Sequence, residues 1–276
     1  MENNIFEYIL YGLLTGFSEV VPVSTPAHQY LFGFFTGFSD SAFLQLLVSI
    51  GALAAVIVSC GKRLMHIRRE LKVVSVPKNK RKRMPDMVAV SEARLVLAGI
   101  IPMIAGIVAS IWIRSLLSNL LFVMAMLLIS GTAVYIPQYF AGGNRDSKAM
   151  APSDGVLLGA VSALGVIPGV SRMGGLILTG RIRGCSRAYM LELGLLYVAA
   201  MLTGWILTQI IVLLVGGAVI SWMMVLGGIL AMAAAFGGGM GGIYLMRFLA
   251  VKMDFSGFSY YCWGLAVLCF VYYLII

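Results

Sequence analysis

Residues 15–28 read Thr15-Gly16-Phe17-Ser18-Glu19-Val20-Val21-Pro22-Val23-Ser24-Thr25-Pro26-Ala27-His28. An apolar run starting near residue 5 is broken here by a carboxylate, a proline, hydroxyls and an imidazole, and a second apolar run follows over 26–37. Proline cannot continue a helix interior. Each flank is therefore a helical arm, short of the ~20 apolar residues that a bilayer span needs. The same punctuation returns as Gly165-Val166-Ile167-Pro168-Gly169-Val170-Ser171-Arg172, its proline 146 positions after Pro22. Short arms at 5–20 and 26–37 precede apolar spans near 41–60, 94–113 and 117–138. Short arms at 155–167 and 173–183 precede spans near 186–213, 218–247 and 257–276.

Three spans, an odd number, separate the two halves, so the second half enters the bilayer upside down relative to the first. The expected fold is all-α and integral to the membrane: six transmembrane helices plus two re-entrant helix-loop-helix hairpins in an inverted-topology repeat. The repeats are 1–138 and 155–276 within one membrane domain, 1–276. A rival reading counts each short arm as a full span. Composition agrees with a membrane protein, since the 276 residues are 61% hydrophobic and 11% charged, with mean hydropathy +0.97. A water-soluble globule and a separate soluble domain are both excluded on that balance.

The net charge of +9 is topological rather than a sign of nucleic acid. Ten of the 20 Lys and Arg residues lie between Lys62 and Arg83, inside a basic loop, 61–93, that the positive-inside rule makes cytoplasmic. With both termini outside, 18 of the 20 cations fall on that side, Arg114 lies outside, and Arg172 is left within the membrane. Cys60, Cys185, Cys262 and Cys269 lack C-x-x-C spacing and read as core residues. No removable signal peptide is expected, because the first residues carry no basic n-region.

The two interruptions hold the candidate chemistry. Thr15 and Glu19 share a face at i,i+4. Thr25 followed by Pro26 reads as an N-cap and first helical residue, with His28 in the first turn. A helix N-terminus of this kind suits a phosphate. Ser171 reads as a second N-cap, Arg172 as the only guanidinium in the hydrophobic interior, and Gly169, Gly174 and Gly175 as positions where backbone approaches a ligand closely. An unpaired arginine at that depth costs about 2.5–3.5 kcal/mol on insertion scales, so Arg172 should meet Glu19, a phosphate, or both in turn. If the loops meet, Arg172 lies beside Glu19, His28 and the hydroxyls.

Plainer readings stand beside these. Glu19 and Arg172 also fit a structural ion pair, His28 a capping histidine, and the hydroxyls helix packing. Arg187 and Glu192 read as snorkelling residues at a span end. Gly237–Gly239, Gly241 and Gly242 read as a close helix contact, and Trp222 with the aromatics at 260–263 as interfacial belts. The basic stretch 62–83 can hold anionic lipid headgroups.

These motifs resemble the bacterial undecaprenyl-diphosphate phosphatase (bacitracin-resistance) family. That family shows an acidic residue or Gln, then G-x-x-E-x-x-P-[VI]-S-S-[ST]-G-H, and later P-G-x-S-R-S-G. The stretches Thr15–His28 and Pro168–Gly174 match in order and spacing. Thr15 replaces the first acidic position, Pro26-Ala27 the small residue and glycine before His28, and Met173 a serine. The resemblance implies hydrolysis of undecaprenyl diphosphate to the monophosphate and phosphate at the outer face of the cytoplasmic membrane, recycling a lipid carrier for peptidoglycan. It carries functional positions to Glu19, Ser24, His28, Ser171 and Arg172, with Thr25 in place of the second serine.

Written as a mechanism, His28, Glu19, Ser24 and Thr25 form the expected catalytic set. Arg172, Ser171, Gly169 and Gly174 bind the diphosphate, and Glu19 holds a divalent cation, Mg²⁺ or Ca²⁺. Expected partners are a polyprenyl diphosphate lipid, membrane lipids and a second copy in a homodimer. The competing class is a transporter of a polyprenyl phosphate or similar amphiphilic anion, which the same inverted repeat would serve.

Overall fold

The computed structural model describes residues 4–117, 119–140, 143–217 and 220–275, without the side chains of 113–117. The expected outside position of Arg114 therefore lies outside the described residues. Ten α-helices follow in chain order: α1 Ile5–Val20, α2 Thr25–Thr36, α3 Ala42–Ser75, α4 Met87–Leu117, α5 Leu120–Tyr135, α6 Pro152–Leu164, α7 Arg172–Ile182, α8 Arg187–Gly216, α9 Trp222–Lys252 and α10 Ser256–Ile275. Six of them, α3, α4, α5, α8, α9 and α10, are long and apolar enough to cross a membrane. At 1.5 Å per residue α1, α2, α6 and α7 span only about 16–24 Å, less than the ~30 Å hydrocarbon layer. Ile101 and Ile104 of α4 and Leu214 and Val215 of α8 are exposed, as lipid-facing residues must be.

Small residues let the short helices dock. Gly12 and Gly16 of α1 lie so close to Ala231 and Ala235 of α9 that a Cβ at either would fall 2.1 or 1.9 Å from a carbonyl oxygen. Gly155 and Gly159 of α6 meet Leu95 and Gly99 of α4 in the same way, at 2.5 and 2.3 Å. With no hydrophobic drive between helices in lipid, this closeness supplies the van der Waals contact that holds them. Of the glycines expected at a contact in α9, Gly238, Gly239 and Gly242 face α1 and α3, while Gly237 and Gly241 face open space. All four cysteines are free and buried.

The basic end differs from expectation in three respects. The stretch 61–93, expected as a loop, is helical up to Ser75 and again from Met87. Glu192 does not snorkel: Arg247 donates to both its oxygens, at 2.7 and 3.0 Å. Arg63 likewise holds Glu92 at 2.9 and 2.5 Å, and the Tyr189 hydroxyl donates to the same carboxylate at 3.2 Å. Arg181, expected simply as a cation on the cytoplasmic side, is more buried than Arg172. At the end of α7, it is 7% exposed and donates to the carbonyls of Pro137, Phe140 and Cys185.

Candidate active site

The interruptions meet. Pro22 lies in the turn between α1 and α2, leaving Glu19 in the last turn of α1. Ser24, not Thr25, caps α2: its Oγ accepts from the Ala27 N–H at 3.4 Å, and Thr25 and Pro26 are the first two helical residues. The same Oγ accepts from the Gly169 N–H at 2.9 Å, joining the two loops directly. On the other side, Ser130 Oγ of α5 donates to the Gly169 carbonyl at 2.6 Å and accepts from the Ser171 N–H at 2.9 Å. Ser171 caps α7 as expected, its Oγ accepting from the Gly174 N–H at 3.1 Å.

Gly169 has φ +98°, a left-handed conformation, and a Cβ there would fall 2.3 Å from that of Met126. Gly174 presses on Val134, where a Cβ would fall 2.5 Å from Cγ2. Both glycines let the loop and α7 pack closely against α5.

At this junction Arg172 Nη1 donates to Glu19 Oε1 across the two loops. The side chains are 13% and 6% exposed, so Glu19 is buried and Arg172 partly so. Arg172 Nε is buried and has no hydrogen-bond partner among the described residues. The pair walls a cavity of about 50 Å³, lined also by Thr15, Thr25, Gln29, Gln45 and Ser49 and, on its apolar part, by Val166, Met201, Leu202 and Trp205. Of the expected site residues, the structure thus gathers Glu19, Thr25 and Arg172 around one space. Ser24, Ser171, Gly169 and Gly174 hold the loops and do not line it.

His28 does not line the small cavity either. Its Nδ1 lies 2.6 Å from the Ser24 carbonyl oxygen, which can only accept, so Nδ1 carries the proton. Nε2 then accepts from the Tyr261 hydroxyl at 2.7 Å, with the rings stacked at 10°. Both ring nitrogens of His28 are thus engaged away from Arg172. Tyr261, read from sequence as a belt residue, reaches across 233 positions to hold the histidine.

Sequence reasoning also missed a chain of amides. Gln29 Nε2 donates to Thr15 Oγ1 and to Gln45 Oε1, both at 3.3 Å. Gln45 Nε2 donates to Asp40 Oδ2 and to the Tyr11 hydroxyl, each at 2.5 Å. Gln29 and Gln45 line both the small cavity and a second one of about 480 Å³, which extends to Tyr11, Asp40, Ser41 and Gln209. The signal was present in part: Gln45 and Ser49 stand at i,i+4 in an otherwise apolar run.

Among the described residues no cluster of three or more His, Cys, Asp and Glu can hold a metal. Glu19 is the only carboxylate lining the small cavity, and hydroxyl and carboxamide oxygens surround it. This oxygen-only donor set fits a hard cation that takes most of its ligands from phosphate and water.

Comparison with known proteins gives the same direction. The chain is 26% identical over 270 residues to an undecaprenyl-diphosphatase of Halothermothrix orenii, covering 96% of each. It is 26% identical over 285 residues to undecaprenyl-diphosphatase 2 of Halalkalibacterium halodurans, covering 98% of this chain and 96% of that one. With an undecaprenyl-diphosphatase of Clavibacter michiganensis it shares 32% identity over 186 residues, 66% of this chain and 65% of the other. Residues 8–268 match the family described as bacitracin resistance protein BacA, and the chain belongs to that family.

Proposed function

We propose that the protein hydrolyses undecaprenyl diphosphate to undecaprenyl phosphate and inorganic phosphate, recycling the lipid carrier at the outer face of the bacterial cytoplasmic membrane. The observation that carries the reading is the largely buried Glu19–Arg172 pair, one partner from each interruption, beside a cavity. The proposed topology takes α1–α2 and α6–α7 as re-entrant hairpins related by inversion. In support, α1 packs on α9 as α6 packs on α4, and Ser24 caps α2 as Ser171 caps α7. With both termini outside, α3 starts on the outer side, so the larger cavity beside Asp40 and Ser41 opens outward. Membrane lipids and a second copy of the chain as partners belong to the same proposal.

A space of about 50 Å³ has room for about one or two waters, not for a diphosphate beside an intact ion pair. Phosphate entering through the larger cavity takes over Arg172, whose unpartnered Nε gains an acceptor, and Glu19 is released. Of the three hydroxyls that line the cavity, Thr15, Thr25 and Ser49, Thr25 stands at the N-terminus of α2, next to the interruption, and serves as the nucleophile. Its Oγ1 attacks the terminal phosphorus, Glu19 takes the hydroxyl proton, and the bond to the bridging oxygen breaks. Undecaprenyl phosphate leaves with that oxygen and its electron pair. Water then hydrolyses the phosphothreonine, the P–Oγ1 bond breaks, and phosphate departs while Thr25 regains a proton. Arg172 stabilises the charge that builds in both steps. His28 positions the α2 N-terminus that bears Thr25 through its bond to the Ser24 carbonyl. Glu19 would hold Mg²⁺ or Ca²⁺, which when bound supplies neutralisation of the phosphate charge.

Purified protein is tested for phosphate release from farnesyl and undecaprenyl diphosphate, with and without Mg²⁺ or Ca²⁺. Release well above that of an Arg172→Ala variant is expected. Release at the variant's level refutes hydrolysis, and movement of a polyprenyl phosphate across vesicles would then favour the transport reading.

A further inference from the structure

The lining of the small cavity is of two kinds. Thr15, Glu19, Thr25 and Arg172 make its polar part, while Met201, Leu202 and Trp205 of α8 make an apolar part. Met201 and Leu202 are buried, at 2% and 5% exposure. Trp205 is half-buried and packs against the same core, while Thr203 and Leu207 beside it are exposed. One turn further, Gln209 lines the larger, outward cavity. Trp205 thus leads from the charged chamber towards the lipid-facing surface of α8. A free diphosphate would leave this apolar surface without a partner, whereas a diphosphate bearing a hydrocarbon covers both parts.

We propose that Met201, Leu202 and Trp205 seat the isoprene unit next to the diphosphate and so select prenyl diphosphates over diphosphates without a hydrocarbon chain. The inference rests on the diphosphate reading of the Glu19–Arg172 site.

The test is calorimetric binding of two non-hydrolysable probes, methylenediphosphonate and its farnesyl ester, to the full chain. The farnesyl probe should bind wild type more tightly than its parent. Trp205→Ala should weaken the farnesyl probe by about ten-fold and leave methylenediphosphonate unchanged, and Trp205→Phe should recover most of the loss. Trp205→Gln, which keeps a long side chain but makes the seat polar, should show the same selective loss and serves if Trp205→Ala does not fold. Equal losses for both probes, or none for the farnesyl probe, overturn the seat. Binding is read without turnover, so failure to release phosphate would count against hydrolysis alone.

Discussion

Because Glu19 occupies the guanidinium that phosphate needs, removing its charge should tighten ligand binding while stopping turnover. Glu19→Gln keeps the side chain's size and one acceptor oxygen. A hydrogen bond to a charged group contributes about 1.5–3 kcal/mol net, and a phosphate that displaces Glu19 forgoes it. The wild-type affinity is lower by that amount, so the variant should bind methylenediphosphonate about 10- to 150-fold more tightly. Calorimetry in the presence of a chelator isolates this effect from any cation held by Glu19. The uncompensated Arg172 should also destabilise the variant by about 3–5 kcal/mol, seen as a lower Tm that the ligand restores. Unchanged or weaker binding by Glu19→Gln in chelator would refute the competition, and with it the assignment of Arg172 as the phosphate holder.

Thr25→Ala should lose phosphate release while Thr25→Ser keeps a substantial part, and acid quenching of wild type should trap phosphothreonine. Gly169→Ala, strained at φ +98° and clashing with Met126, should lower Tm by the equivalent of about 1–3 kcal/mol or more and abolish release. Gly37→Ala, with φ +74° but open space around it, should cost about 1–2 kcal/mol from the backbone alone and leave release intact. Glu92→Ala leaves Arg63 with only the more distant Glu192, at 3.9 Å, so thermal unfolding should show a loss of about 1.5–3 kcal/mol. Its turnover per folded molecule should stay at the wild-type level, since Arg63 lies about 21 Å along α3 from Ser49.

What could be read from the chain alone follows from range. The six spans, the short arms and the Ser171 cap are local patterns of hydropathy and hydrogen-bonding residues, and each was found, although α3 runs fifteen residues past the expected end at 60 and α4 starts seven before 94, where charged residues continue an apolar helix. The α2 cap was misread by one position because Ser24 and Thr25 both suit it, and only the Gly169 N–H decides between them. Pairings across the fold left no local trace: Tyr261 on His28, and Gln29 and Gln45 towards Asp40. The ion pairs at the basic end were hidden for the same reason, since Glu192 at a span end reads as snorkelling until its arginine partner arrives from another helix. Arg172 was legible because an arginine at membrane depth needs an anion wherever that anion comes from.

The central claim is that one diphosphate site is assembled from both interruptions. Phosphate release from undecaprenyl diphosphate by wild type, Glu19→Gln and Arg172→Ala, measured side by side in the same detergent with Mg²⁺, tests it most directly. The account predicts rapid release by wild type and a loss of at least about 100-fold in each variant, about 2.7 kcal/mol of transition-state stabilisation. Near-wild-type release by either variant would contradict it.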